Sequence, residues 1–263
     1  MFVSQIVNHG FRIHAPRRAR SLLAAAAAAC LLCALAVVSW PGNADSAPLR
    51  MVVLGKTSST PAPACPAKSR VIGGQTIVVK ACQAVGRATI FQSLAGDTVK
   101  PYLAPFDGKI VSWSISLSKP TGKERKFFND VYGSPSQARI AVLRPVPNEK
   151  PPVYKLVRQS PAQQLNGYFG QTVTFALDHP LNVVAGQMIG LTLPTWAPNW
   201  AINLASNNSW RSSRQSDKCA DSYITKGLTH PQTKIGSKRQ YGCYFTGSRL
   251  LYSATLVKKP LKG

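Results

Sequence analysis

Val111-Ser112-Trp113-Ser114-Ile115-Ser116-Leu117-Ser118 is the stretch that decides the fold. Four apolar residues alternate with four serines. Successive side chains of an extended chain point to opposite faces, so this pattern gives a strand with one apolar and one hydroxyl-bearing face. Asp107-Gly108 supplies the turn that leads into it. Working outward, Gln171 to Leu177 repeats the pattern with Val173, Phe175 and Leu177 on one side. Leu181 to Val184 and Ile189 to Leu193 flank the turn pair Ala185-Gly186 and read as a hairpin. Arg139 to Arg144 encloses the apolar run Ile140 to Leu143, which suits a central strand. Val153 to Arg158, Trp200 to Leu204, Tyr241 to Thr246 and Leu250 to Val257 add further strands. Many short strands with almost no helical periodicity imply an all-β fold, an antiparallel β-sandwich, with a closed barrel as the alternative.

One segment departs from this texture. Thr121-Gly122-Lys123-Glu124 is a capping box, in which the threonine hydroxyl and the glutamate satisfy the first free amides of a helix. Phe127, Phe128, Val131 and Tyr132 then share a face, and Gly133 can end the last turn. A short inserted helix is expected near residues 122–132. Lys123, Arg125 and Lys126 lie on its other face, with Lys119 just before it.

The N-terminal part sets the compartment. Arg12, Arg17, Arg18 and Arg20 precede an apolar run from Ser21 to Trp40; Pro41-Gly42 and the small-residue site Ala44-Asp45-Ser46-Ala47 follow. That order reads as a secretory signal over residues 1–46. The run is also long enough to span a bilayer. If it is uncleaved, residues 21–40 are a membrane anchor and the arginine bias leaves the domain outside. The expected location is therefore secreted or cell surface, with a single-pass anchored form as the alternative. Residues 47–70, rich in Pro, Ala and Ser, read as a disordered linker; 71–258 as the sandwich domain; and 259–263 as a basic tail.

Two sequence patterns carry a resemblance. Pro105-Phe106-Asp107-Gly108-Lys109-Ile110-Val111-Ser112-Trp113, followed by Leu181-Asn182-Val183-Val184-Ala185-Gly186-Gln187-Met188-Ile189-Gly190-Leu191, resembles secreted bacterial jelly-roll-like sandwiches. The stretch from Cys82 to Val257 is similar to a group of exported actinobacterial proteins of uncharacterised function. Gln187 stands where such hairpins often carry an aspartate. The resemblance implies a jelly-roll-like fold and no particular chemistry.

From Ala47 onward four cysteines remain, in two local pairs, Cys65 with Cys82 and Cys219 with Cys243. An even count outside the cytoplasm reads as structural disulfides, and of the three possible pairings the local one is favoured by proximity and flanking turn residues. No C-x-x-C occurs after Ala47, and only His179 and His230 remain there, so no metal and no cofactor are expected.

Charge is the second strong fact. The chain carries 32 Lys+Arg against 9 Asp+Glu. Four arginines and Asp45 precede Ala47, which leaves 28 basic against 8 acidic residues. A field of that sign attracts polyanions, although solubility alone would account for it too. The candidates for an anionic surface are Lys119, Lys123, Arg125 and Lys126, together with Lys234, Lys238 and Arg239, with Lys226 nearby. Trp196, Trp200 and Trp210, with Asn208 and Arg211, form a glycan candidate: indole faces stack on sugar rings while amide and guanidinium bond their hydroxyls. The bland alternative has Trp200 start a strand and point into the core, while Trp196 pads the Pro-rich loop between Pro194 and Pro198.

Nucleic acid is an unlikely partner, because aromatics are not interleaved with the basic residues. Asp178-His179 is the one adjacent acid–histidine pair after Ala47, but it precedes Pro180 in a turn setting, and no G-x-S-x-G supplies a serine elbow. The expected role is non-catalytic association with anionic or glycan polymers of the cell envelope. A secreted hydrolase with an unidentified site is the rival.

Overall fold

The serine-alternating stretch folds as β6 (Gly108–Ser116) in the computed structural model, which describes residues 50–65, 67–72, 75–80, 82–220 and 229–258. Ile110, Trp113, Ile115 and Leu117 are buried, while Ser112, Ser114 and Ser116 are half-buried on the other face. The inward set begins one residue earlier than the pattern suggested, with Ile110 rather than Val111. The reason is a bulge: pairing skips Val111 against both neighbouring strands, which takes it out of the core alternation.

A four-stranded antiparallel sheet runs in the order β1 (Met51–Leu54), β17 (Tyr252–Lys258), β6, β10 (Thr172–Val183). A larger sheet runs β14 (Lys238–Gln240), β8 (Val153–Gln159), β7 (Gln137–Val146), β11 (Met188–Ala197), β4 (Val85–Ala95), β13 (Asn208–Ser212), β15 (Cys243–Thr246). The short β5 (Thr98–Val99) and β9 (Gln163–Gln164) pair with β4 and β7. Two further pairs stand apart: β2 (Ala67–Ile72) with β3 (Gln75–Lys80), and β12 (Trp200–Ala201) with β16 (Arg249–Leu250). One hydrophobic cluster draws on both large sheets, including Trp113, Ile115 and Leu256 from one and Ile90, Ile140, Leu143, Leu156 and Leu191 from the other. The domain is thus all-β and sandwich-like, two antiparallel layers sharing one core.

Several expectations need correction. The expected hairpin around Ala185-Gly186 does not form: β10 pairs with β6, and β11 pairs with β4 and β7, so the turn carries the chain from one sheet to the other. Gly186 takes φ +81, and Gln187 closes the turn by accepting the Val184 N–H on its Oε1 at 3.0 Å. Asp178, His179 and Pro180 do not separate two strands. They are exposed in an interruption of the single strand β10, where the register against β6 jumps from Ala176 to Leu181.

The presumed linker is structured too. Met51–Leu54 pairs with Val257–Ala254, and the buried Arg249 donates to Ser59 O at 2.9 Å and Thr57 Oγ1 at 2.5 Å. The described residues from Met51 on thus pack against the domain's own strands. The signal or anchor over 1–46 and the tail 259–263 lie outside the described residues. No helix among the described residues is long and apolar enough to cross a membrane.

The helix α1 (Gly122–Tyr132) forms with both halves of its capping box in place. Gly133 closes it, donating to Asn129 O at 2.9 Å. Its apolar face is narrower than expected: Phe128 packs 5.0 Å from Trp196, whereas Phe127 is 57% exposed. Tyr132 joins Phe128 on that face, which leaves Phe127 on the solvent side.

Glu124 does more than cap. It accepts from the backbone N–H of Thr121 and of Cys82, each at 2.7 Å, and from the Thr121 hydroxyl at 2.9 Å. Burial is the largest single influence and pulls this carboxyl up. The three hydrogen bonds together outweigh it and leave the pKa below its ordinary value. The stability contributed by this carboxylate is therefore present above the ordinary carboxyl pKa of about 4.3 and is lost as pH falls through the lower folded value. Glu124→Gln is expected to lower the thermal midpoint near neutral pH, with the difference from wild type closing in acid. A difference that stays constant with pH would show that the charge is not what matters.

Cys65–Cys82 and Cys219–Cys243 are both disulfide-bonded, the local pairing that the sequence favours. Two disulfides indicate an oxidising environment.

Candidate functional site

The glycan candidates do not form a site. Trp196 is 1% exposed, lies between Phe128 and Phe169, and donates its Nε1–H to Asn129 Oδ1 at 3.0 Å. Trp210 is 3% exposed, stacks on Phe245 at 4.3 Å and donates to Ser248 Oγ. Trp200 is half-buried and meets Trp210 edge-on at 5.9 Å. Arg211 donates to Tyr241 O at 3.1 Å with its guanidinium over the Tyr244 ring, and the Asn208 amide donates to Ala205 O and Asn207 Oδ1. A sugar ring needs an open indole face, and Trp196 and Trp210 have none; Trp196, expected to pad a loop, is instead fully buried on β11, whereas Trp200, expected in the core, is half-buried.

The basic candidates divide into two groups. On α1 and just before it, Lys119, Lys123, Arg125 and Lys126 are exposed, and Lys126 pairs with Asp130 at 2.9 Å across one helical turn. That is the one ion pair among the described residues. In the second group, Lys238 and Arg239 lie on the edge strand β14 and line a cavity of about 330 Å³. Lys234 is exposed on the turn before β14 and is not part of that lining.

The cavity wall is assembled from distant segments. The short turn Ser216–Lys218 brings Lys218, the chain after β13 brings Arg214, and the loop before β14 brings Thr229 and His230. No Asp or Glu lines it among the described residues. The guanidinium groups rest on backbone carbonyls instead: Arg239 donates to His230 O at 2.6 Å and Arg87 to Thr229 O at 3.2 Å. Arg87 also lies 3.3 Å from His230 Nδ1. Such contacts orient the cations without cancelling their charge.

A fully buried glutamine fixes this loop. Gln232 donates its amide to Tyr154 O at 3.1 Å and Ser237 O at 2.8 Å, and accepts the Tyr241 hydroxyl at 2.9 Å. Its backbone N–H donates to Thr89 Oγ1, which also lies 2.9 Å from Thr192 Oγ1. Thr89 and Thr192 sit on the paired strands β4 and β11. The cavity wall is thus tied to the centre of the larger sheet.

Two other concavities offer less. One of about 270 Å³ is lined by Ser114, Ser116, Thr172 and Arg249, but Arg249 is already committed to the segment before β2. Another, of about 410 Å³, gathers loop residues including Asp97, Asn207 and Asn208. Among the described residues no group of three His, Cys, Asp or Glu side chains could hold a metal ion. Arg87, Arg214, Lys218, Thr229 and His230 were not singled out in the sequence, where nothing but the folded chain brings them to Lys238 and Arg239.

Comparison with protein families, with curated proteins and with solved structures gives no match to this chain.

Proposed function

We propose that this is an exported, non-catalytic protein of the cell envelope whose jelly-roll-like domain binds anionic polymers through its cationic surface. The observation that carries the reading is unspent charge. The domain from Ala47 holds 28 basic residues against 8 acidic ones, and a single ion pair is formed among the described residues. A fold that needed its cations for stability would pair them. Among the described residues, the candidate cations face solvent, backbone carbonyls and a cavity lined by no Asp or Glu, where a polyanion gains most. The sequence signal over 1–46 and the two disulfides support an exported location. Glu124, whose carboxyl pKa is lowered, is a helix cap, and no observation among the described residues favours the hydrolase reading.

Charge reversal tests the proposal. Retention on immobilised polyphosphate is compared for the wild-type domain, Lys218→Glu/Lys238→Glu and Lys123→Glu/Arg125→Glu, with neutral dextran as control. Both variants are expected to bind polyphosphate more weakly and to ignore dextran. The cavity pair should lose about tenfold or more, roughly 1.4 kcal/mol. Retention unchanged in both variants would contradict the reading.

A further inference from the structure

We infer that the cavity beside the edge strand β14 is a binding site for a phosphate ester group, with Lys218, Lys238 and Arg239 supplying the charge and His230 and Thr229 completing the wall. This rests on the anionic-polymer reading and narrows it to one place and one chemistry.

Three observations converge. The first is the lining itself, several cations from separate segments around a concavity with no carboxylate among the described residues. Bringing like charges together costs free energy unless an anion joins them. The second is the strand register. Lys238 stands directly opposite Lys155 on the neighbouring strand β8, a like-charge cross-strand pair that destabilises an isolated sheet edge. An anion held by Lys238 relieves that repulsion. The third is Thr229, in the cavity wall and 4% exposed, whose buried Oγ1 has no hydrogen-bond partner. Such an unsatisfied hydroxyl marks a wall that is not closed by the protein's own hydrogen bonds.

The arrangement suits phosphate better than carboxylate. A carboxylate is planar and is satisfied by one guanidinium fork. Here ammonium, guanidinium and imidazole groups approach from several segments, which matches the three-dimensional oxygens and larger charge of a phosphate. A volume of about 330 Å³ lies at the small end of the range for ligand pockets, about 300–1,000 Å³. That accommodates a phosphate together with the polyol or sugar it esterifies.

The domain from Ala47 to Gly263 is titrated with glycerol 3-phosphate, inorganic phosphate and acetate at constant ionic strength, with backbone amide resonances followed by NMR. Glycerol 3-phosphate is expected to shift amides of residues 213–218 and 229–240, with acetate giving no such localised change. Lys218→Ala/Lys238→Ala should weaken that binding at least tenfold, while Lys123→Ala/Arg125→Ala leaves it unchanged. Inorganic phosphate binding more tightly than the ester would overturn the ester assignment, and shifts spread evenly over the surface would overturn the site. If glycerol 3-phosphate gives no localised shifts while the wild type is still retained on polyphosphate, the cavity assignment fails and the electrostatic reading stands. Loss of that retention as well would remove both.

Discussion

Replacing Trp113 by alanine is expected to lower the stability of the domain by about 4 kcal/mol, in the range for truncating a buried tryptophan. Trp113 is 1% exposed, lies 4.8 Å from the Phe175 ring and belongs to the cluster shared by the two sheets. Its removal leaves a cavity that neighbours on two separate layers close only in part. For a domain of this size the thermal midpoint should fall by roughly 8–16 °C. Trp113→Phe should cost much less, because the indole Nε1–H has no partner to lose and the ring still fills most of the space. Urea denaturation of both variants checks the pair. An alanine variant as stable as wild type would mean that the layers do not depend on this core.

Gln232→Leu is expected to cost about 3 kcal/mol, since it strips partners from several buried polar groups at nearly constant volume. The Tyr241 hydroxyl and the Tyr154 carbonyl lose their Gln232 partner, and the Ser237 carbonyl keeps only the Leu156 N–H at 3.0 Å. The effect should be directional. Amides of residues 229–237 should exchange with deuterium markedly faster, while those of β7 and β11 change little, because Gln232 fastens the loop rather than the sheet centre. Binding to polyphosphate should weaken in step, since Thr229 and His230 enter the cavity wall through this loop. Full stability in the leucine variant, with the loop still protected, would show that the loop is held by other contacts.

How far the sequence could be read depended on whether a signal was local. The serine alternation over 112–116 and the capping box at Thr121 are statements about neighbouring residues, and both fold as they read, although β6 ends at Ser116 and Ser118, expected on the wet face, is buried beyond it. Val111 misleads because a bulge is a property of pairing between strands, which one strand cannot show. The chain at 181–193 misleads for the same reason: a tight turn looks alike whether the chain returns to its own sheet or crosses to the facing one. Strand β4 carries no clear strand pattern although it is central, because the fully buried Thr89 and Gln92 break its apolar run. Those two polar side chains are satisfied from strands and loops more than a hundred residues away. Met51-Val52-Val53-Leu54 was legible as four apolar residues, but the Pro- and Ser-rich surroundings outweighed it. The tryptophans show the opposite failing. Their clustering in sequence suggested a surface, whereas exposure is set by which sheet face each one joins. Of the basic cavity, only Lys238 and Arg239 stood out along the chain. Lys218 and His230 reach it through tertiary packing, with Arg87 held behind His230.

Ionic strength gives the most direct test of the account. The affinity of the wild-type domain for polyphosphate is measured from about 50 to 500 mM sodium chloride, a span over which screening of exposed charges tightens severalfold. Release of counterions predicts a straight, steeply falling line of log affinity against log salt, and a shallower slope once Lys218 and Lys238 are replaced by alanine. Affinity that holds level across the series, or a slope indifferent to those two lysines, would contradict a function built on the cationic cavity.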